Sequence, residues 1–292
     1  MKLSIIIATH ARPDSLARLI ASLKPQLGAA QSELIVAENG TPAPRPLADV
    51  DVVTAHIHDP RPGKCRVQNL AIKRAAGDVL IFLDDDLVVA DDYLDQVTRF
   101  FTYHPEFAAM KGRILPREDP RKVAGANWVY LDLPLVDHGN EVIEVRGVMG
   151  ANMAFRTDAM GKVGPFDERL GPGAAGHEEE TEMSARLRRA GYHIGYSPNA
   201  VVYHEVDPAR ADRARFIRIA RERGRARMLH ETHSRFEVVL KKVIASMRMA
   251  LVSIFPVSTE RRAREERRLA VARGMLDALN AAEPAADRRV EA

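Results

Sequence analysis

Short apolar runs alternate with amphipathic stretches through the first two hundred residues, and the alternation predicts strands and helices in turn. Leu3 to Ala8 reads as a buried strand, followed by a polar loop and a helix with Leu16, Leu19, Ile20 and Leu23 on one face and Asp14 as its N-cap behind Pro13. ELIVAENG is a second strand ending in polar residues and Gly40. Pro42, Pro44 and Pro46 mark a loop, VDVVTAHIH a third strand and RPGKCRVQNLAIKRAAG a helix. VLIFL, the most hydrophobic strand, stops abruptly at Asp84, Asp85 and Asp86. DDYLDQVTRFFTYH has helical spacing, AAMKGRIL is strand-like, and the stretch to about residue 145, with Trp128 and several prolines, is irregular. VMGANMAFRTDAM reads as strand into helix, and a loop carrying Gly171, Gly173 and Gly176 precedes the amphipathic helix HEEETEMSARLRRAG. HIGYSPNAVVYHEV returns as a strand ending at His204. These units predict an α/β fold with a mostly parallel sheet flanked by helices, in which ligands gather at the carboxyl ends of the strands.

Beyond Pro208 the pattern turns helical and arginine-rich, which sets the expected boundary between a domain at 1–208 and a basic helical extension at 209–292. In the extension Phe236, Val239, Leu240, Val243, Ile244, Met247, Leu251, Ile254 and Phe255 share one helical face, with Lys241, Lys242 and Arg248 on the other side. Charge follows the same division. Residues 209–292 hold 20 Lys/Arg against 11 Asp/Glu, whereas the remainder holds 23 against 29, so the net +3 hides a basic tail on an acidic body. Such a tail suits phosphate on nucleic acid, on lipid headgroups or on a pyrophosphate-linked ligand, and its sign alone does not choose.

Composition excludes other classes. A 292-residue chain that is 46% hydrophobic and 28% charged is neither disordered throughout nor fibrous. Cys65, the single cysteine, forms no internal disulfide and belongs to no zinc spacing, which suits a reducing compartment. The first residues lack the apolar core and cleavage site of an export signal. Val243 to Val257, the longest apolar stretch, contains Arg248 and Pro256, so no spanning helix is expected.

Three adjacent aspartates after a buried strand repel one another unless something neutralises them. One reading is a solvated loop or helix cap. The other is a divalent cation, for which Asp84 and Asp86 offer hard oxygen ligands to Mg²⁺ or Mn²⁺, with His204, also at a strand end, as a third ligand. Glu178, Glu179, Glu180 and Glu182 open a helix, where acidic residues complement the helix dipole; alternatively, one of them is a general base. The glycines upstream would let their loop close over a substrate.

The ordered set SIIIATHARPDSL, ELIVAENG, QNLAIKRAAGDVLIFLDDDLVVADDYL, GANMAFR, GPFDE, HEEETEMSARLRRAG and YSPNAVVYH, over residues 3 to 205, resembles the family 2 inverting glycosyltransferases with the Rossmann-like GT-A fold. The resemblance implies a metal-dependent, hexosyltransferase-like enzyme that moves a sugar from a UDP- or GDP-sugar to an acceptor hydroxyl on a glycan or lipid carrier, in cell-surface polysaccharide or glycolipid synthesis. It places Thr9, Glu38 and Asn39 at the base and ribose, and Lys64, Arg66 and Asn69 near the donor-contacting loop. Asp84, Asp85 and Asp86 fall on the DxD motif, with Asp84 near the ribose or sugar and Asp86 on the metal. His204 falls on the histidine that completes metal or diphosphate binding, and Glu180 on the base, preceded by Glu179. The family's Ala-Arg-Asn is Val67-Gln68-Asn69 here, which leaves a basic donor contact unassigned, and a glutamate stands where the family's base is usually an aspartate.

Two other classes compete. A nucleotidyltransferase would show a glycine-rich phosphate loop after its first strand, which ATHARPDS is not. A non-catalytic nucleotide-sugar binding or scaffold protein at the membrane would have lost the acidic triplet or the base, and both are present. The stripe from 236 to 255 suits an anionic membrane surface, the catalytic domain or a second subunit as in a homodimer. Nucleic acid is not expected, because the basic residues are not interleaved with aromatic ones. The expected location is cytoplasmic, peripheral at the inner membrane face.

Overall fold

The computed structural model describes residues 1–28, 31–40 and 50–282; the expected proline loop at 42–46 and the polar C-terminus from 283 lie outside them. In chain order the strands are β1 (Leu3–Thr9), β2 (Ser32–Asn39), β3 (Ala55–Asp59), β4 (Val79–Asp84), β5 (Leu87–Val89), β6 (Phe107–Pro116), β7 (Ile143–Glu144), β8 (Asn152–Arg156) and β9 (His193–His204). The helices are α1 (Pro13–Leu27), α2 (Lys64–Arg74), α3 (Tyr93–Tyr103), α4 (Pro120–Ala124), α5 (Thr157–Val163), α6 (Glu179–Arg189), α7 (Arg213–Arg227), α8 (Arg235–Ile254) and α9 (Thr259–Ala282). The third strand begins five residues later than VDVVTAHIH suggests, because Val50–Val52 forms a 3-10 turn and pairing with β2 starts at Ile35 opposite Ala55. Arg12, not Asp14, occupies the N-cap of α1, since Pro13 takes the first helical position, where its missing N–H costs nothing.

One sheet runs β3-β2-β1-β4-β8-β6-β9-β5, with β7 beside β9. It is parallel through β3, β2, β1 and β4; further on, β8 runs antiparallel to both β4 and β6 while β6 and β9 are parallel. β1 is buried along its whole length, as its near-continuous apolar run requires of a central strand covered on both faces. One face packs Ile5 and Ile7 under Leu16, Leu19 and Leu23 of α1 and Tyr93 and Val97 of α3. The other packs Ile6, Leu80 and Phe82 against Val67 of α2, Met160 of α5 and Met183 and Leu187 of α6.

The chain forms two compact units. The first comprises Met1–Asp119, Leu133–Ala174 and Glu179–Val206; the second comprises Pro120–Asp132, Ala175–Glu178 and Asp207–Ala292. Relative to the expected boundary at 208, two internal segments thus belong with the helices. Their side chains explain why: the Tyr130 ring meets Phe216 edge-on, Arg223 grips Asp132 with two hydrogen bonds of 2.7 and 2.9 Å, and Glu178 accepts one of 3.1 Å from Arg227. The irregular region around Trp128 therefore begins inside the helical unit, with Arg121 stacked over the indole.

Within that unit α7 and α9 approach closely at two glycines: a Cβ on Gly224 would strike the Val271 carbonyl, and one on Gly274 the Arg221 carbonyl. α8 starts at a capping box between Ser234 and Glu237 and buries Val238, Ala245 and Val252, which recur every seven residues. The larger apolar stripe of α8 lies on the opposite side of the helix and is 39–75% exposed, from Val239 to Phe236.

Candidate active site

The polar chemistry collects where the parallel strands end. β1 and β4 are neighbours in register, Ala8 opposite Asp84, so the residues just beyond them meet: the Thr9 hydroxyl donates to Asp85 at 2.7 Å. Asp84 closes β4, and Asp85 and Asp86 form the turn into β5. Basic side chains hold the triplet together. Arg12 donates to Asp85 at 2.9 Å and Asp86 at 3.1 Å, while the Lys64 ammonium, at the start of α2, donates to Asp84 at 2.5 Å and lies 3.7 Å from Glu179. Burial works against charge on Asp84 and Lys64 alike, but each outweighs it for the other: the carboxyl is held below its ordinary range and the ammonium above its own. Burial dominates at Asp85, whose carboxyl is pushed up despite Arg12 and Thr9. Arg12 and Lys64 thus supply a large part of the neutralisation that the triplet requires.

His204 ends β9 directly across from Leu87, and the Glu205 amide donates to the Asp86 carbonyl at 3.0 Å, which fixes the imidazole beside the acidic turn. Nδ1 lies 2.7 Å from the Glu205 carbonyl, which can only accept, so Nδ1 carries a proton. In the neutral ring Nε2 then presents a lone pair, 3.3 Å from a carboxylate oxygen of Asp86. Two buried acceptors facing each other call for a proton or a cation between them. An imidazole nitrogen oriented by a backbone carbonyl, next to a carboxylate oxygen, is a donor set that fits Mg²⁺ or Mn²⁺. Among the described residues no three His, Cys, Asp or Glu side chains gather as a cation cluster, and Asp84, expected as a ligand, is engaged by Lys64.

The acidic helix start faces this group. Gly150 lies between them: a Cβ there would stand at ordinary contact distance from all three, 3.7 Å from the Lys64 nitrogen, 3.9 Å from a Glu179 oxygen and 4.0 Å from the Glu180 carboxyl carbon. Glu179 is buried, and the pocket behind it is closed by Cys65 and Gly171, whose added Cβ would meet both. Burial pushes the Cys65 thiol well up, which makes it an inert core residue. Glu180 is less buried and is felt by Lys111 of β6, whose ammonium burial pushes down while Glu180 holds it up. Glu182 is an ordinary first-turn residue, paired with Arg186 one turn on at 2.8 Å. The glycine loop, read as able to close, is fastened at its start: the Lys64 amide donates to the Pro172 carbonyl at 2.8 Å, and Gly173, at φ +85°, leaves no room for a Cβ against the Gly63 amide. Glu178, just before α6, also has positive φ, at +79°, a strained conformation for a side chain of its size.

The remaining expected residues divide. Glu38 and Asn39 end β2, where Glu38 lies 3.3 Å from His56 and the Asn39 carbonyl accepts from His10 at 2.7 Å. Arg66 and Asn69 turn elsewhere. Arg66 pairs with Glu168 at 3.1 Å, and both amide atoms of buried Asn69 bond the Phe166 backbone, at 2.9 and 3.0 Å. They secure GPFDE against α2. Sequence reasoning missed Arg12 and Gly150; the arginine's position three residues past β1 was the available signal.

Residues 4–164 match the family model described as glycosyl transferase family 2. Similar proteins include the glucosyl-dolichyl phosphate glucuronosyltransferase of Haloferax volcanii, 24% identical over 70% of either chain, and the O-antigen chain rhamnosyltransferase RfbN of Salmonella typhimurium, 29% identical over 70% of this chain and 66% of that one. Among solved structures, a mannosyltransferase from Pyrobaculum calidifontis in complex with GDP-Man and Mn²⁺ shares the fold at TM-score 0.63 and 13% identity, over 96% of this chain and 88% of that one. GalNAc-T7 with UDP, GalNAc and Mn²⁺ shares it at 0.60 and 14%, over 91% and 54%.

Proposed function

The chain belongs to glycosyl transferase family 2, and on that premise we propose that it transfers a sugar with inversion from a UDP- or GDP-sugar to an acceptor hydroxyl, with Glu180 as general base. The observation that carries this reading is the meeting of Lys64, bound to the acidic strand end at Asp84, with Glu179 and Glu180 around Gly150. Glu180 is the better base of the two, because Glu179 is buried and shares Lys64 with Asp84. The Glu180 carboxylate takes the hydroxyl proton as the acceptor oxygen bonds to the anomeric carbon; the anomeric C–O bond to the diphosphate breaks, and its electron pair leaves with the nucleoside diphosphate. Inversion follows from a single displacement. Lys64 keeps Asp84 ionised beside the donor, and Thr9 and Arg12 orient the turn that presents Asp86.

Asp86 and His204 would hold Mg²⁺ or Mn²⁺, which when bound supplies charge stabilisation to the departing diphosphate. The Mn²⁺ in both solved relatives supports a divalent cation, and their GDP-Man and UDP support the donor class. The Haloferax volcanii relative, named for a glucosyl-dolichyl phosphate, supports a lipid-linked acceptor.

Calorimetric titration with UDP, GDP and their sugar conjugates, with Mn²⁺ and then with chelator, tests the donor site: one nucleotide should bind only with metal, and Asp86→Ala should abolish that binding. Glu180→Gln should keep donor affinity while turnover falls about 10²–10⁴-fold. Turnover retained in Glu180→Gln but lost in Glu179→Gln would move the base to Glu179, and an anomer-retained product would refute single displacement.

A further inference from the structure

The most conspicuous feature outside the site is the exposed stripe of α8. Phe236, Val243, Met247, Leu251 and Ile254 are 47–75% exposed on one helix face, far more contiguous apolar surface than scattered single residues present. The helix does not need this face for its own packing, which Val238, Ala245 and Val252 provide about half a turn away. Lys241 and Arg248 line one flank of the stripe, Arg235 and Lys242 the other. The one acidic residue of α8, Glu237, is spent on its own N-terminus, accepting from the Ser234 amide at 2.8 Å.

We propose that this stripe lies in the headgroup boundary of an anionic lipid bilayer, with α8 parallel to the surface and its four basic residues on lipid phosphates. An apolar face bracketed by lysine and arginine is the pattern of an interfacial helix. It does not cross: among the described residues no helix is long and apolar enough to span a membrane. Charge argues against a second copy of the chain, because two such stripes packed together bring their basic flanks into register. The ten C-terminal residues from 283 do not suit the stripe either, since their only apolar side chain larger than alanine, apart from one proline, is Val290. The inference stands independently of the transfer reaction.

The test is flotation of the full chain with phosphatidylcholine vesicles, with and without phosphatidylglycerol. The chain should float with the anionic vesicles, and added salt should weaken the association. Met247→Asp with Leu251→Asp, both exposed and so compatible with the fold, should weaken it by more than about tenfold. A Met247→Trp variant gives a second reading: its emission should shift to the blue on adding anionic vesicles. Absence of flotation, flotation indifferent to the Asp pair, or an unshifted Trp overturns the proposal. So does a lipid-free dimer in sedimentation equilibrium that the Asp pair converts to monomer, because the face is then an interface between copies.

Discussion

In the strand unit the apolar side chains are inside and the buried charges stand at strand ends; in the helical unit α8 turns large apolar side chains outward while α9 buries Glu265 and Glu266. The packing partners explain the inversion. Strands covered on both faces take bulky residues such as Ile6, Phe82 and Phe155, whereas the helices that cross at Gly224 and Gly274 bury Ala220, Ala263, Ala270 and Ala272 beside a few larger side chains, Phe216, Ile219 and Met275. The buried charges differ in kind as well. Lys64, partner to Asp84 and Glu179, is 11% exposed, while Arg213 and Arg268, partners to Glu266 and Glu265, are 58% and 48% exposed. The first group is desolvated and strongly coupled; the second is screened by water and contributes little.

The largest expected effect follows from that contrast. Lys64→Ala leaves buried Glu179 and part-buried Asp84 without their shared cation and should destabilise the chain by about 3–5 kcal/mol, whereas Arg213→Ala should cost less than about 1 kcal/mol, both read by chemical denaturation. Equal losses would erase the distinction. Gly274→Ala comes next: crowding the Arg221 carbonyl should cost about 1–3 kcal/mol while leaving donor affinity unchanged. A smaller effect concerns acid. Burial opposes charge on Glu178, but His230 and Arg227 overcome it and hold its carboxyl below the ordinary range, so its stabilisation is full above the unfolded value of about 4.3 and is lost as pH falls through the folded one. Glu178→Gln should therefore lose less stability than the parent as pH falls below about 4.3, read by denaturation at a series of acidic pH values. The smallest effect is on α8, where Met247→Asp should change stability by no more than about 0.5 kcal/mol, in contrast to a large loss for Val252→Asp on the buried side.

The acidic turn and the glutamate helix were legible in the sequence because an apolar strand that stops at three aspartates, and a helix that opens on glutamates, announce themselves within a few residues. Arg12 was not, since a loop has no periodicity from which to read where a side chain points. Arg66 and Asn69 show the converse: a residue type expected at a donor loop serves to fasten Phe166 and Glu168. For α8, periodicity found the large stripe but not its surroundings. The side that packs is a sparser row of small residues at 238, 245 and 252, and burial there depends on α9, which follows in the sequence but leaves no mark on α8 itself. The segments 120–132 and 175–178 joined the helical unit through contacts such as Asp132 with Arg223, 91 residues apart, which no local pattern records.

Those separations also set an order of events during folding. α8 and α9 are consecutive helices, and the turn that joins them needs little loop closure. The site is joined almost entirely by distant pairs: Thr9 to Asp85 across 76 residues, Arg12 to Asp85 across 73, and Lys64 of α2 to Glu179 of α6. Contacts of such range form late, once the sheet is in place. In refolding experiments recovery of donor binding should therefore trail recovery of helical circular dichroism, which makes the bound donor a stricter witness to a finished molecule than any signal from its helices.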